Sequence, residues 1–160
     1  MARNQFRPIA TEVPLEDERR SDIGVMGVEQ MAKRVFLSFV AEDLELVHLF
    51  RGQAKNKSSE LEFSDYSVTE PYDSTNADYI RGKIRERIRA ASVTICLIGE
   101  TTYKSRWVDW EIRTSDEEGN KVFGVRLHSS SSKDTTPKAI VDLKKSVCNW
   151  DIDAIVAAIG

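Results

Sequence analysis

The chain has 160 residues, of which 41% are apolar and 31% charged, proportions of a globular protein with enough length for one well-buried core. Its 26 acidic and 23 basic side chains give a formal charge of −3, which offers no general attraction to nucleic acid or anionic lipid. No apolar run approaches the length of a membrane span, and no secretory leader pattern is present, so a cytoplasmic protein without membrane or nucleic-acid partners is expected.

Residues 1–32 mix charges, two prolines and scattered apolar side chains without a sustained period, and read as an N-terminal extension to a domain over 33–160. Arg34 to Val40 (RVFLSFV) is a first strand, followed by the acidic helix start Ala41-Glu42-Asp43, where Asp43 reads as a helix cap. Leu46, Val47, Phe50 and Ala54 form one helical stripe. Leu61 to Tyr66 (LEFSDY) is a more amphipathic strand suited to a sheet edge. Ser67 to Asn76 is a long loop of turn formers, and such loops often carry function.

Ala77 to Ala90 has Ile80, Ile84 and Ile88 at four-residue intervals, with Arg81, Lys83, Arg85, Arg87 and Arg89 assigned to a solvated face. Val93 to Ile98 is an apolar, β-branched run closed by Gly99, the pattern of a strand covered on both faces. Ser105 then caps a helix on which Trp107 and Glu111 share one face, and Val108 and Ile112 the neighbouring one. Gly119-Asn120 ends it. Lys121 to Leu127 is a fourth strand, and His128 to Thr136 a serine-rich loop. Pro137 to Leu143 gives one or two helical turns, Ser146 to Trp150 a fifth strand, and Asp151 caps a last helix.

Five strands alternating with helices predict an α/β three-layer sandwich on a parallel sheet, in the flavodoxin-like order 2-1-3-4-5. That order has its switch point between strands one and three. It would gather Ser38, Phe39, Asp65, Tyr66, Gly99 and Glu111 around one crevice, roofed by the loop from Ser67 to Asn76. Cys96 and Cys148 lack CxxC spacing and read as reduced core thiols. His48 and His128 have no ligand-spaced partners, so no metal is expected. The chain has no GxxxxGK[ST], no GxGxxG after its first strand and no HExxH, which argues against NTPase, dehydrogenase and metalloprotease chemistry.

The segments KRVFLSF, SVTICLIGETTYKSRWVDWEI and GNKVFGVRL resemble the bacterial TIR-like domains of the Thoeris anti-phage system, the ThsB family. The resemblance covers roughly residues 33–127. It implies a sensor of phage infection that cleaves NAD+ at the nicotinamide–ribose bond and converts the remainder into a cyclic ADP-ribose-derived signal for a separate effector. It further implies a phage-derived trigger, self-association, and no cofactor, NAD+ being the substrate. Ser105, Trp107 and Glu111 match the S-x-W-x-x-x-E arrangement, which makes Glu111 the catalytic carboxylate. Ser38, Phe39, Asp65, Tyr66 and Trp107 are the candidate substrate-binding residues. The loop SVTEPYDST lacks the R-D-x-x-P-G signature of receptor-type TIR domains, so their mode of assembly does not carry over. The competing reading is a catalytically inactive TIR-like module that binds protein or nucleotide.

Overall fold

The computed structural model describes residues 32–66, 70–129 and 135–160; the extension read over 1–32 therefore lies almost wholly outside the described residues, as do positions 67–69 and 130–134 of the two loops. The strands are β1 (Lys33–Ser38), β2 (Leu61–Ser64), β3 (Val93–Ile98), β4 (Lys121–Arg126) and β5 (Val147–Asn149). The α-helices are α1 (Leu44–Lys57), α2 (Ala77–Arg89), α3 (Arg106–Glu117), α4 (Lys138–Asp142) and α5 (Ile152–Ile159). Short 3-10 turns at Ala41–Asp43 and Thr102–Lys104 follow β1 and β3. All pairings are parallel and the order is β2-β1-β3-β4-β5, the flavodoxin-like arrangement expected from the alternation of elements.

Side-chain alternation along the central strands divides the core into two layers. Val35 and Leu37 of β1, with Ile95 and Leu97 of β3, pack with Val47, Phe50 and Ala54 of α1 and Ile155 and Ile159 of α5. The even-numbered side chains take the other face. Phe36 meets Ile80, Ile84 and Ile88 of α2, while Cys96 and Ile98 meet Val108 and Ile112 of α3 and Ala139 and Ile140 of α4. Every residue of β3 is buried, as its uninterrupted apolar run requires of a central parallel strand.

α3 is fixed at both ends. The Ser105 hydroxyl accepts from the Val108 amide at 3.1 Å, a side-chain N-cap. At the far end Gly119 has φ of +87°, with Gly119 N–H bonded to Asp116 and Asn120 N–H to Ser115, a Schellman closure. Asn120 also donates to the Ile88 carbonyl and to the Thr94 hydroxyl, joining α2, β3 and the end of α3. A Cβ at Gly119 would meet nothing within 4 Å, so only backbone conformation opposes a substitution there. Gly119→Ala should therefore cost about 1 kcal/mol, read as a lowered denaturation midpoint at unchanged m-value.

The basic residues of α2 depart from the solvated face read in the sequence. Arg85 and Arg89 both pair with Glu118, at 2.6 and 3.0 Å, and Arg81 donates to the Tyr72 carbonyl. They tie α2 to its neighbours instead of only solubilising it.

Candidate active site

Strand register and helix phase bring the site together. Ser38 is the last residue of β1, on the same face as Phe36, and stands opposite Cys96 of β3. Both side chains point into the layer that α3 covers. Val108 and Ile112 anchor α3 in that layer, and the turn between them carries Glu111 inward to 4% exposure. The Ser38 hydroxyl donates to Glu111 Oε1 at 2.5 Å, across 73 residues of sequence. This contact lies at the junction of β1 and β3, the topological switch point of the sheet.

Burial dominates the electrostatics of Glu111 and pushes its carboxyl from an ordinary 4.5 up to about 8; the Ser38 hydrogen bond opposes that shift. Burial, and then the charge of Glu111, raise the Cys96 thiol as well, so Cys96 is an inert core thiol and no nucleophile. Removing the Ser38 hydroxyl takes away the donor that favours ionised Glu111. Ser38→Ala should therefore move the Glu111 titration to higher pH, measured by carbon NMR of the labelled carboxyl. An unmoved midpoint would contradict the role given to this bond.

Glu111 lies in the lining of a cavity of about 530 Å³, within the range of small-molecule sites. The end of β1 and the turn after it contribute Leu37, Phe39, Val40, Ala41 and Glu42. Tyr66 enters beyond β2, and Thr101, Lys104, Ser105 and Trp107 come from the segment after β3. Trp107 is held from several sides. Its indole N–H donates to the Glu70 carbonyl at 2.9 Å, and it meets Tyr72 and Trp110 edge-on at 5.0 and 6.2 Å. Tyr72 is itself flanked by the Arg81 and Arg106 guanidinium groups, 4.3 and 4.4 Å from its ring centroid. Arg106 then pairs with Asp73 at 2.8 Å. The described part of the long loop after β2 is thus latched onto α2 and α3 through cation–π and ionic contacts.

Of the residues nominated from sequence, Phe39, Tyr66, Trp107 and Glu111 line the cavity, and Ser38 bonds to Glu111. Asp65 does not join them. Its carboxylate pairs with Arg51 of α1, and its carbonyl accepts from Arg87. The cause is the alternation of extended chain: Phe63 packs on the α1 side, so Asp65 follows it there while Tyr66 turns to the opposite layer. Asp43 differs as well. It occupies the N-cap position of α1 without a side-chain cap bond and is buried against Gly99. Trp110 packs with the α2 cluster, as a helix-packing tryptophan does. Sequence reading did not nominate Glu42, Thr101 or Lys104, although their positions just past the carboxyl ends of β1 and β3 were a usable signal. Among the described residues, no group of three or more His, Cys, Asp or Glu side chains is placed to hold a metal ion.

The family described as "Thoeris protein ThsB, TIR-like domain" matches residues 36–132, more than half of the chain. The chain belongs to the Thoeris ThsB TIR-like family. A similar protein is the "Putative cyclic ADP-D-ribose synthase ThsB1" of Bacillus cereus (strain MSX-D12), 35% identical over 107 residues. That alignment takes in 64% of this chain and 56% of the relative, so the chain matches a little over half the length of that ThsB1 protein. The region shared with the ThsB family contains the second half of β1 together with β3 and α3, and with them Ser38, Trp107 and Glu111. No helix among the described residues is long and apolar enough to cross a membrane.

Proposed function

We propose that this chain binds NAD+ in the cavity at the β1–β3 junction and breaks its nicotinamide–ribose bond. In that step the electron pair of the C1′–N bond leaves with nicotinamide, which departs neutral, and C1′ becomes oxocarbenium-like. Nicotinamide is a cationic group before cleavage, so no general acid has to protonate it. A fixed carboxylate beside C1′ is enough, and Glu111 supplies it. Capture of C1′ by a nucleophile of the same molecule gives a cyclic ADP-ribose isomer, with loss of that nucleophile's proton where it carries one; capture by water gives ADP-ribose. Trp107 and Tyr66 offer aromatic faces for the nicotinamide or adenine ring.

The observation that carries this reading is a carboxylate nearly sealed from water, held by one hydroxyl and set in a ligand-sized cavity on the ThsB domain. The name of the ThsB1 relative supports a cyclic ADP-ribose product. Within the same proposal, the protein responds in the cytoplasm to a phage-derived trigger, self-associates, and acts on a separate effector through the nucleotide it makes. Mass spectrometry of nucleotides from phage-infected cells carrying wild type or Glu111→Gln tests the reading. An ADP-ribose-derived species present only with wild type supports it. Matching extracts across several phages, with protection retained in both strains, would favour a non-catalytic interaction module.

A further inference from the structure

Among the described residues that line the cavity, Lys104 is the one cation, set against the carboxylates Glu42 and Glu111. Among the described residues the Lys104 ammonium has no ion-pair or hydrogen-bond partner and meets only the neighbouring Tyr103 ring, 5.7 Å from the centroid. The guanidinium groups at positions 51, 81, 85, 89, 106 and 113 are all paired with carboxylates, whereas the Lys104 charge, like that of Lys83, has only a tyrosine ring beside it. Thr101 and Ser105, which flank Lys104 in the same short segment, add two hydroxyls to the lining. The Ser105 oxygen accepts from the Val108 amide, which leaves its O–H to donate outward.

Lys104 ends the 3-10 turn before α3, and Glu111 lies on the second turn of that helix. Glu111 is bonded to Ser38 and forms no ion pair with Lys104. The cavity therefore has its buried carboxylate and its free ammonium at separate points, with hydroxyls beside the ammonium. We infer that Thr101, Lys104 and Ser105 form the diphosphate subsite of the cavity, with the Lys104 ammonium as its charge. The inference rests on the nucleotide-binding reading given above and assigns the orientation of the ligand within it. The diphosphate lies against the segment after β3, and the adjacent ribose reaches Glu111. A diphosphate placed instead against Glu42 and Glu111 would face two carboxylates.

Calorimetric titration of ADP-ribose into the 160-residue chain tests this, with Lys104→Gln and Lys104→Arg compared over a series of salt concentrations. Wild-type binding is the control that separates the two levels of the argument. If wild type does not bind ADP-ribose, the nucleotide reading falls and the subsite falls with it. If wild type binds, Lys104→Gln should weaken affinity about 10-fold, as loss of one charge-assisted contact does. Lys104→Arg should stay close to wild type, and the salt dependence should be shallower for Lys104→Gln. Wild-type affinity in Lys104→Gln overturns the subsite while leaving nucleotide binding in place. Equal losses in the Gln and Arg variants overturn it too, because they would trace the effect to side-chain shape and not to charge.

Discussion

Glu111→Gln should lower nicotinamide release from NAD+ by about 10²–10³-fold or more, the usual loss when one preorganised electrostatic group is removed from a dry site. The amide is nearly isosteric with the acid and keeps the oxygen that accepts from Ser38, so the fold and the cavity persist. The same substitution changes stability in a direction set by titration. Folding raises the Glu111 carboxyl from 4.5 to about 8, which favours the protonated form in the native state. The contribution of that group is fully present below about pH 4.5 and is lost as pH rises through about 8. Wild type should therefore lose stability relative to Glu111→Gln across that window, at about 1.4 kcal/mol for each pH unit between the two values. The amide does not titrate, so whatever its own contribution to stability, it is the same at every pH. The slope of the difference with pH is thus the decisive measurement, obtained from urea melts of both proteins between pH 4 and 9. Parallel stability curves would show that Glu111 titrates normally in the folded protein.

Activity should follow the same group in the opposite direction. In the proposed reaction only ionised Glu111 would stabilise the ribosyl cation, so kcat/KM for NAD+ should rise with pH toward an apparent value near 8 in the free protein. Bound nicotinamide is cationic and favours the carboxylate, so the limb for kcat should lie at lower pH than the limb for kcat/KM. Stability and turnover thus pull against each other at one residue. A carboxylate dehydrated enough to act on a cation is a carboxylate the fold would be steadier without.

How far the sequence revealed this site differs from residue to residue. The positions of β1, β3 and α3 were legible because continuous apolar runs and helical stripes of period near four record burial directly, and the strand order followed from the alternation of strands and helices. Glu111 stood out because the S-x-W-x-x-x-E spacing tied it to a known chemistry, and helix phase alone put it one position away from Ile112. Its partnership with Ser38 was half legible: strand parity gave Ser38 a face, but the hydroxyl–carboxylate contact depends on how α3 seats on that face. Asp65 and Tyr66 stood together as candidates because adjacency in sequence hides the alternation that sends one to Arg51 and the other to the cavity. The arginines of α2 read as solvated because their partners, Glu118 and the Tyr72 carbonyl, belong to other parts of the chain.

Asp43 and Gly99 show the same limit and lead to the second large expected effect. An acidic residue ahead of an apolar stripe is an ordinary cap signal, yet Asp43 is 9% exposed and its Oδ2 has no hydrogen-bond partner among the described residues. Burial accordingly raises the Asp43 carboxyl above its ordinary value, and the nearby His128 works against that shift. The carboxyl lies against the Cα of Gly99. A Cβ on Gly99 would stand 2.1 Å from Oδ2 and 2.6 Å from Cγ, far inside contact distance. The absence of a side chain at Gly99 is therefore a matter of space, and its φ is not in the left-handed region. Gly99→Ala must displace Asp43, and Asp43 ends the turn that brings Ala41 and Glu42 to the cavity. Overpacking of this kind costs about 1–3 kcal/mol, and the distorted turn should weaken ligand binding as well. Asp43→Ala removes a buried carboxyl with an unpaired Oδ2 but also takes the partner of the buried Thr102 hydroxyl, two opposed effects that should leave the single variant within about 1 kcal/mol of wild type. In the Gly99→Ala, Asp43→Ala double variant the new methyl has room, and most of the loss should be recovered, a coupling of about 1–2 kcal/mol. Urea denaturation of the four proteins measures it. Additive effects would mean that Gly99 is required by something other than the Asp43 carboxyl, whereas recovery in the double variant identifies this one contact as the reason no side chain fits at Gly99.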